Sequence, residues 1–240
     1  MSESKEPREP VVVIPARGGS KRIPGKNTRA LNGIPVLERT IKIAAECATK
    51  DRILVSTDSA EIAHLANSLG VQVLERPLDL ADDHTPLLPV MHHALTVLGE
   101  LGLVTSETAV ACLYATAVTL DPTDFTRGLN QLASQSSPRL VTGVIEYPHP
   151  VERALTLDGD FHLEPASPQF ASTRTQDLPV HYFDAGAFIW GYPRQWHETT
   201  PVLTRASGCV LPGWRSVDLD TESDWQRAEL VIGQLEARQR

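Results

Sequence analysis

The chain has little cysteine, few aromatic residues, no excess of positive charge and no long apolar run. Its three cysteines, Cys47, Cys112 and Cys209, stand in unrelated contexts without C-x-x-C spacing. Cys47 falls in a predicted helix and Cys112 in a predicted strand, where cysteine acts as a small core residue of a reduced protein. The formal charge of −8 argues against general nucleic-acid binding, which needs a basic stripe. No apolar run approaches the roughly 18 residues of a membrane span. The first ten residues are polar and charged, unlike a signal peptide, so the expectation is a cytoplasmic protein with no membrane partner. His84, His92 and His93 do not form a zinc pattern: adjacent histidines face different sides of a helix, and no H-E-x-x-H is present. Neither G-x-x-x-x-G-K-[ST] nor G-x-G-x-x-G occurs, so both standard phosphate motifs are missing.

A different phosphate-binding pattern is present near the start. Val11-Val12-Val13-Ile14 reads as a strand buried on both faces, as in the middle of a parallel sheet. It runs into a loop holding Gly18, Gly19, Ser20 and four basic residues, Arg17, Lys21, Arg22 and Lys26. Glycines let backbone N–H groups approach an oxyanion, and arginine and lysine add positive charge. Because the basic cluster opposes the overall charge, it points to a local anionic ligand such as a polyphosphate. The plainer alternative is a basic surface turn after a core strand.

Further along, the pattern predicts a helix over 36–48, a strand over 52–58, a helix capped by Ser59 and stopped by Gly70, and a third strand over 71–74. That order is βαβαβ, the sign of a parallel sheet with right-handed crossovers. A helix over 86–101 with Thr85 as its cap, a strand over 109–113, a helix opening at Asp121-Pro122 and a strand over 140–145 follow. Residues 148–185 are rich in proline, aspartate and short strands. Asp158-Gly159 reads as a hairpin turn between 155–157 and 161–163. This segment looks like an insertion serving as a lid or dimer arm, or else a plain surface hairpin. Strand character returns at 187–190, and Thr221 caps a C-terminal helix.

Asp218-Leu219-Asp220 precedes that helix. Two residues apart in extended chain, both carboxylates leave the same face. Paired oxygen ligands suit Mg²⁺, which bridges nucleotide phosphates. A bare D-x-D reads more readily as helix N-terminal charge.

The run P-A-R-G-G-S-K-R-I-P-x-K-N at 15–27 resembles the signature loop of the sugar-acid cytidylyltransferases, the enzymes that join CMP to sialic-acid-like sugars. V-D-L-D-T-x-x-D-W at 217–225 resembles that family's metal-binding tail, and segments 113–117, 172–179 and 182–191 resemble its base- and sugar-facing stretches. The resemblance spans residues 11 to about 230. It implies a single α/β domain over 1–240, Rossmann-like and of the nucleotide-diphosphosugar transferase type. The sheet is then mostly parallel, with a small β-rich insertion at 148–185 for a lid or dimerisation. It implies CTP as donor, a nonulosonic acid as acceptor, Mg²⁺ as cofactor and a homodimer. Pseudaminic acid is the favoured acceptor, with N-acetylneuraminate, legionaminate and Kdo as alternatives; a non-catalytic nucleotide-sugar-binding protein is the reading from another class. Catalytic roles fall to Arg17, Lys21 and Lys26, and metal binding to Asp218 and Asp220. Nucleotide contacts fall to Ala16, Gly18, Gly19, Ser20, Asn27, Tyr114, Ala115 and Thr116. Sugar-acid contacts fall to Arg76, Asp83, Thr85, Arg174, Gln176 and Asp184. The chain departs from the family pattern at Val118 and Thr119, where relatives usually read P-F, and at Phe183 and Ala187, where they usually carry histidine and glutamine.

Overall fold

The computed structural model describes residues 9–20, 22–82, 84–198, 201–204 and 206–238. In chain order the elements are β1 (Val11–Pro15), β2 (Ala30–Leu31), β3 (Ile34–Pro35), α1 (Val36–Ala44), β4 (Ile53–Thr57), α2 (Ala60–Ser68), β5 (Gln72–Glu75), α3 (Leu87–Glu100), β6 (Val110–Leu113), α4 (Pro122–Ala133), β7 (Val141–Glu146), β8 (Leu155–Leu157), β9 (Leu163–Pro165), β10 (Tyr182–Gly191), α5 (Pro193–Glu198), β11 (Ser207–Val210) and α6 (Glu222–Arg238).

Seven strands form one sheet in the order β11-β7-β10-β6-β1-β4-β5. β1 pairs in parallel with β4 and β6, β4 with β5, and β7 with β11. β10 alone runs the other way, wedged antiparallel between β6 and β7. The mostly parallel α/β sheet expected from the βαβαβ rhythm is present.

Strand alternation divides the core. Val12 and Ile14 of β1 pack with Leu37 and Ile41 of α1, Ile62 of α2 and Phe125 of α4. Val11 and Val13 pack on the opposite face with Met91, Leu95 and Leu98 of α3 and Trp196 of α5. Each such side chain, fully buried, contributes about 1.5–3 kcal/mol. This two-sided cover explains why the central strands read as continuous apolar runs.

Several boundaries differ from expectation. α1 stops at Ala44 because the chain tightens there: Cys47 N–H donates to Ala44 O at 3.1 Å, an i→i+3 turn. Thr85 does not cap α3; Pro86 occupies the cap position, and the Thr85 hydroxyl donates instead to Asp82 Oδ1 at 2.8 Å. The hairpin is present, with its second strand at 163–165 and the turn lengthened to residues 158–162. Ser59 caps α2 as expected, accepting from Ile62 N–H at 3.4 Å.

Candidate active site

β1, β4 and β6 share one direction, so the loops that leave them gather at one carboxyl edge, where open α/β sheets hold ligands. The opening loop starts from buried Ala16, whose N–H donates to Ser56 O at 2.9 Å. Gly18 lies against the start of α2, and a Cβ there would fall 2.9 Å from Ser59 Cβ. Its N–H donates to Asp58 Oδ1 at 3.0 Å. A carboxylate of the chain thus occupies an amide that the sequence pattern offers to a nucleotide. Gly19, by contrast, has open space where a Cβ would stand. Ser20 N–H turns back to Gly18 O at 3.1 Å. Asn27 is buried, with Nδ2 donating to Arg17 O at 3.0 Å and Oδ1 left without a partner. A buried acceptor left unpaired is costly, which makes Asn27 Oδ1 a ready acceptor for a ligand N–H or O–H. Lys21 lies outside the described residues.

The tail meets this loop. Val217 and Leu219 are buried, while Asp218 and Asp220 between and after them line a cleft. That alternation is the extended geometry that puts both carboxylates on one side. Lys26 Nζ donates to Leu219 O at 2.6 Å and lies 3.8 Å from Asp220 Oδ1. Arg22 Nη1 stands 2.7 Å from Asp220 Oδ2. The two halves, far apart in sequence, are therefore joined through Lys26, Arg22 and Asp220.

Three devices that the sequence does not advertise hold the tail. Val118 packs in one apolar cluster with Val217, Leu219, Ile23 and Trp225. Thr119 Oγ1 accepts the Val217 N–H at 3.3 Å. The two departures from the family pattern after Tyr114 thus form the seat of the D-x-D segment. Arg215 bonds Asp121 Oδ2 at 2.7 Å and also Asp124, fastening the tail to the start of α4. Beyond it, Thr221 and Asp224 exchange bonds as a capping box for α6, with Thr221 N–H to Asp224 Oδ2 at 2.9 Å and Asp224 N–H to Thr221 Oγ1 at 3.2 Å.

The cleft measures about 440 Å³ and is lined by Asp184, Asp218, Asp220 and Asp224 together with Phe183, Ile145, Pro148 and Arg227. Of the six expected sugar-acid contacts, Asp184 lines it; Asp83 lies outside the described residues. Arg76 is buried behind β4, donating from Nη2 to Ser56 O at 2.7 Å and from Nε to Ser56 Oγ at 3.2 Å. Thr85 bonds Asp82, and Arg174 Nε pairs with Asp177 Oδ2 at 2.7 Å within its own turn. Arg174 and Gln176 are exposed between β9 and β10 and do not line the cleft. After β6, Tyr114 N–H donates to Ala187 O at 3.0 Å, buried Ala115 accepts the Thr40 hydroxyl at 2.7 Å, and Thr116 sits in the turn closed by Ala117 N–H to Tyr114 O at 2.9 Å.

Charge at this edge is uncomfortable without a ligand. Partial burial pulls the Lys26 ammonium below the ordinary lysine range, against the pull of Asp220 and Asp218. The Asp218 carboxyl is pushed up by loss of solvent and then by the Asp220 charge, with Lys26 and Arg22 opposing. Asp184 touches solvent in the cleft, yet the protein around it still raises its carboxyl, against the Gly186 N–H and the Thr142 hydroxyl. Burial likewise lowers Arg76 and raises Tyr114. Among the described residues no cluster of three or more His, Cys, Asp or Glu is placed to hold a metal ion. Mg²⁺ ordinarily needs only one or two carboxylates, with phosphate oxygens and water filling its shell. The Asp218–Asp220 pair, acidic and crowded, fits such an ion.

A cytidylyltransferase family model matches residues 11–159, from β1 through the opening loop to the first strand of the hairpin and its turn. Over 221 residues the chain is 31% identical to the pseudaminic acid cytidylyltransferase of Campylobacter jejuni subsp. jejuni serotype O:2, covering 91% of this chain and 94% of that protein. The chain belongs to the cytidylyltransferase family. This cytidylyltransferase is also 47% identical over 79 residues to the CMP-N,N'-diacetyllegionaminic acid synthase of Legionella pneumophila subsp. pneumophila, covering 32% of this chain and 34% of that protein. A solved structure titled CMP:2-keto-3-deoxy-manno-octonic acid synthetase complexed with CTP superposes with a TM-score of 0.66 at 14% identity, covering 95% of this chain and 99% of that chain. At that identity the likeness establishes the shared fold. No helix among the described residues is long and apolar enough to cross a membrane.

Proposed function

We propose that this cytidylyltransferase transfers CMP from CTP to a nonulosonic acid, with pseudaminic acid as first choice. The observation that carries the proposal is the junction of loop and tail through Lys26, which touches Leu219 O and approaches Asp220. The junction brings positive charge next to a pair of carboxylates, which supports a reading with a triphosphate and a cation bound side by side. The relative of 31% identity over 91% of the chain supports the acceptor.

Nucleotidyl transfer asks the protein to position, neutralise and exclude water. The anomeric hydroxyl oxygen of the acid bonds to the α-phosphorus. The bond from that phosphorus to the bridging oxygen breaks, pyrophosphate leaves with both electrons, and the hydroxyl proton passes to a base. In this reading Arg17, Lys21 and Lys26 would balance the triphosphate charge, a role the sequence pattern assigns to all three. Asp218 and Asp220 would hold Mg²⁺, which supplies charge neutralisation on the phosphates when bound. Lys26 and Asp218 are among the groups whose charged forms burial disfavours, and these ligands would relieve both.

We also assign a cytoplasmic homodimer to the reading. Three unpaired cysteines agree with a reducing compartment, and the exposed apolar hairpin agrees with self-association. The function is tested by pyrophosphate release from CTP and Mg²⁺ with a panel of nonulosonic acids. Release with pseudaminic acid is the expected outcome; CTP binding without release from any acid overturns it. Asp220→Ala is expected to lower turnover by about 100-fold or more, on the scale of losing one preorganised charge-stabilising group. Normal turnover in that variant overturns the metal assignment.

A further inference from the structure

The tail's architecture accounts for Val118 and Thr119 but not for Phe183, which has a place of its own in the cleft. This side chain lines the cleft and keeps 37% of its surface exposed. In the β7–β10 ladder it pairs directly with Ile145, so the two side chains share one sheet face. Tyr147 braces it from the side, with ring centroids 4.8 Å apart and planes inclined at 53°. Pro148 and Ala185 continue the apolar lining, while the carboxylates of Asp218 and Asp220 come from the tail. A molecule filling this cleft therefore meets the carboxylates of the tail on one side, and from β7 and β10 the hydrocarbon of Ile145, Phe183 and Ala185 flanked by Glu146 and Asp184.

We propose that Phe183, braced by Tyr147, is a specificity residue whose apolar wall selects acceptor acids presenting a methyl group at the end of their carbon chain over acids presenting a hydroxyl there. The assignment rests on the acceptor reading given above. The reacting hydroxyl must lie towards the nucleotide and the carboxylate pair, which leaves the far end of the acid to the hydrocarbon wall. A methyl on the phenyl face covers apolar surface. A hydroxyl set on that face loses water and gains no partner from it, because neither Phe183 nor Ile145 offers a side-chain donor or acceptor. An imidazole at this position would offer both.

The test compares kcat/KM for pseudaminic acid, whose chain ends in a methyl, with that for its 9-hydroxy analogue, in the full-length protein with CTP and Mg²⁺. The intact protein is expected to prefer the methyl acid by about tenfold or more, the scale set by one small group in an apolar pocket. Phe183→His keeps a planar ring and adds polar nitrogens; its preference ratio is expected to fall towards one, with KM for CTP unchanged. Phe183→Leu keeps the wall apolar and is expected to retain the preference. Turnover with a ratio that Phe183→His leaves unmoved, or a ratio near one in the intact protein, overturns the assignment and leaves the acceptor reading standing. A change in oligomeric mass in Phe183→His, in place of a change in preference, also overturns it. No pyrophosphate with either acid overturns the acceptor reading and this assignment with it.

Discussion

Gly186 shows how much one missing atom group contributes to the site. Its backbone sits at φ +57°, and a Cβ there would fall 3.1 Å from Asp218 Oδ2 and 3.3 Å from its Cγ. It lies where the β10 register shifts, between Asp184 and Ile189, and its N–H donates to Asp184 Oδ1 at 3.1 Å. Glycine is thus required twice, once for the left-handed backbone and once for room beside the carboxylate. Gly186→Ala is expected to cost about 1–2 kcal/mol from the backbone alone, which lowers Tm by about 2–4 °C per kcal/mol in a chain of this length. The same methyl would displace Asp218, so the Mg²⁺ concentration for half-maximal activity should rise. Thermal melting and a Mg²⁺ titration on one preparation check both; a lower Tm with an unchanged Mg²⁺ requirement would detach Gly186 from the carboxylate. The Asp218–Asp220 pair was legible because a period of two is a local property of extended chain. The role of Gly186 was not, because its neighbour in space is set by the sheet.

At the scale of elements, the same contrast explains what the pattern reached. β1, β4 and β6 are continuous apolar runs and announce themselves. β11 was missed because Ser207-Gly208-Cys209-Val210 buries only Cys209 at the sheet's edge, which leaves almost no periodic signal. Asp121-Pro122 was legible as a helix start, and Asp121 does cap α4 by accepting from Thr123 N–H at 2.9 Å. Its second duty, as a partner of Arg215, needs the tail folded over the helix. Arg215 and Asp124 have side chains 12% and 7% exposed, and Asp124 also pairs with Arg127 at 2.8 Å. Removing one partner of a buried ion pair strands the other charge, at a cost of about 3–5 kcal/mol. Arg215→Ala should fall near the lower figure, since Arg127 remains, and should raise KM for CTP by loosening the tail. Arg215→Lys should recover only part of the loss, because one ammonium cannot replace the two-pronged guanidinium contact. Urea unfolding with steady-state kinetics reads both effects; an Arg215→Ala protein as stable as the original would remove the clamp from the account.

At the scale of the whole molecule, the segment between β7 and β10 is what the core does not explain. β8 and β9 pair only with each other, in a two-stranded sheet of their own. Their register sets Leu157 opposite Leu163 and Leu155 opposite Pro165, so these side chains share one face of the ribbon. Leu155, Leu157, Phe161 and Leu163 are 58%, 57%, 81% and 61% exposed. An isolated two-stranded ribbon is marginal in water, and a contiguous apolar face on an exposed arm is a candidate interaction surface. The Asp158-Gly159 turn makes the hairpin visible in sequence, but what would cover its apolar face leaves no local signature. A second copy satisfies the requirement with the same face on both sides, as two-fold assembly demands. The expectation is a dimer by light scattering at micromolar concentration, converted to monomer by Leu157→Asp together with Leu163→Asp. Both positions are exposed in the isolated chain, so the doubly substituted core should melt as the original does once dimer-linked stabilisation is allowed for. A monomeric parent chain, or an unchanged dimer after both charges are introduced, would assign the arm to another role.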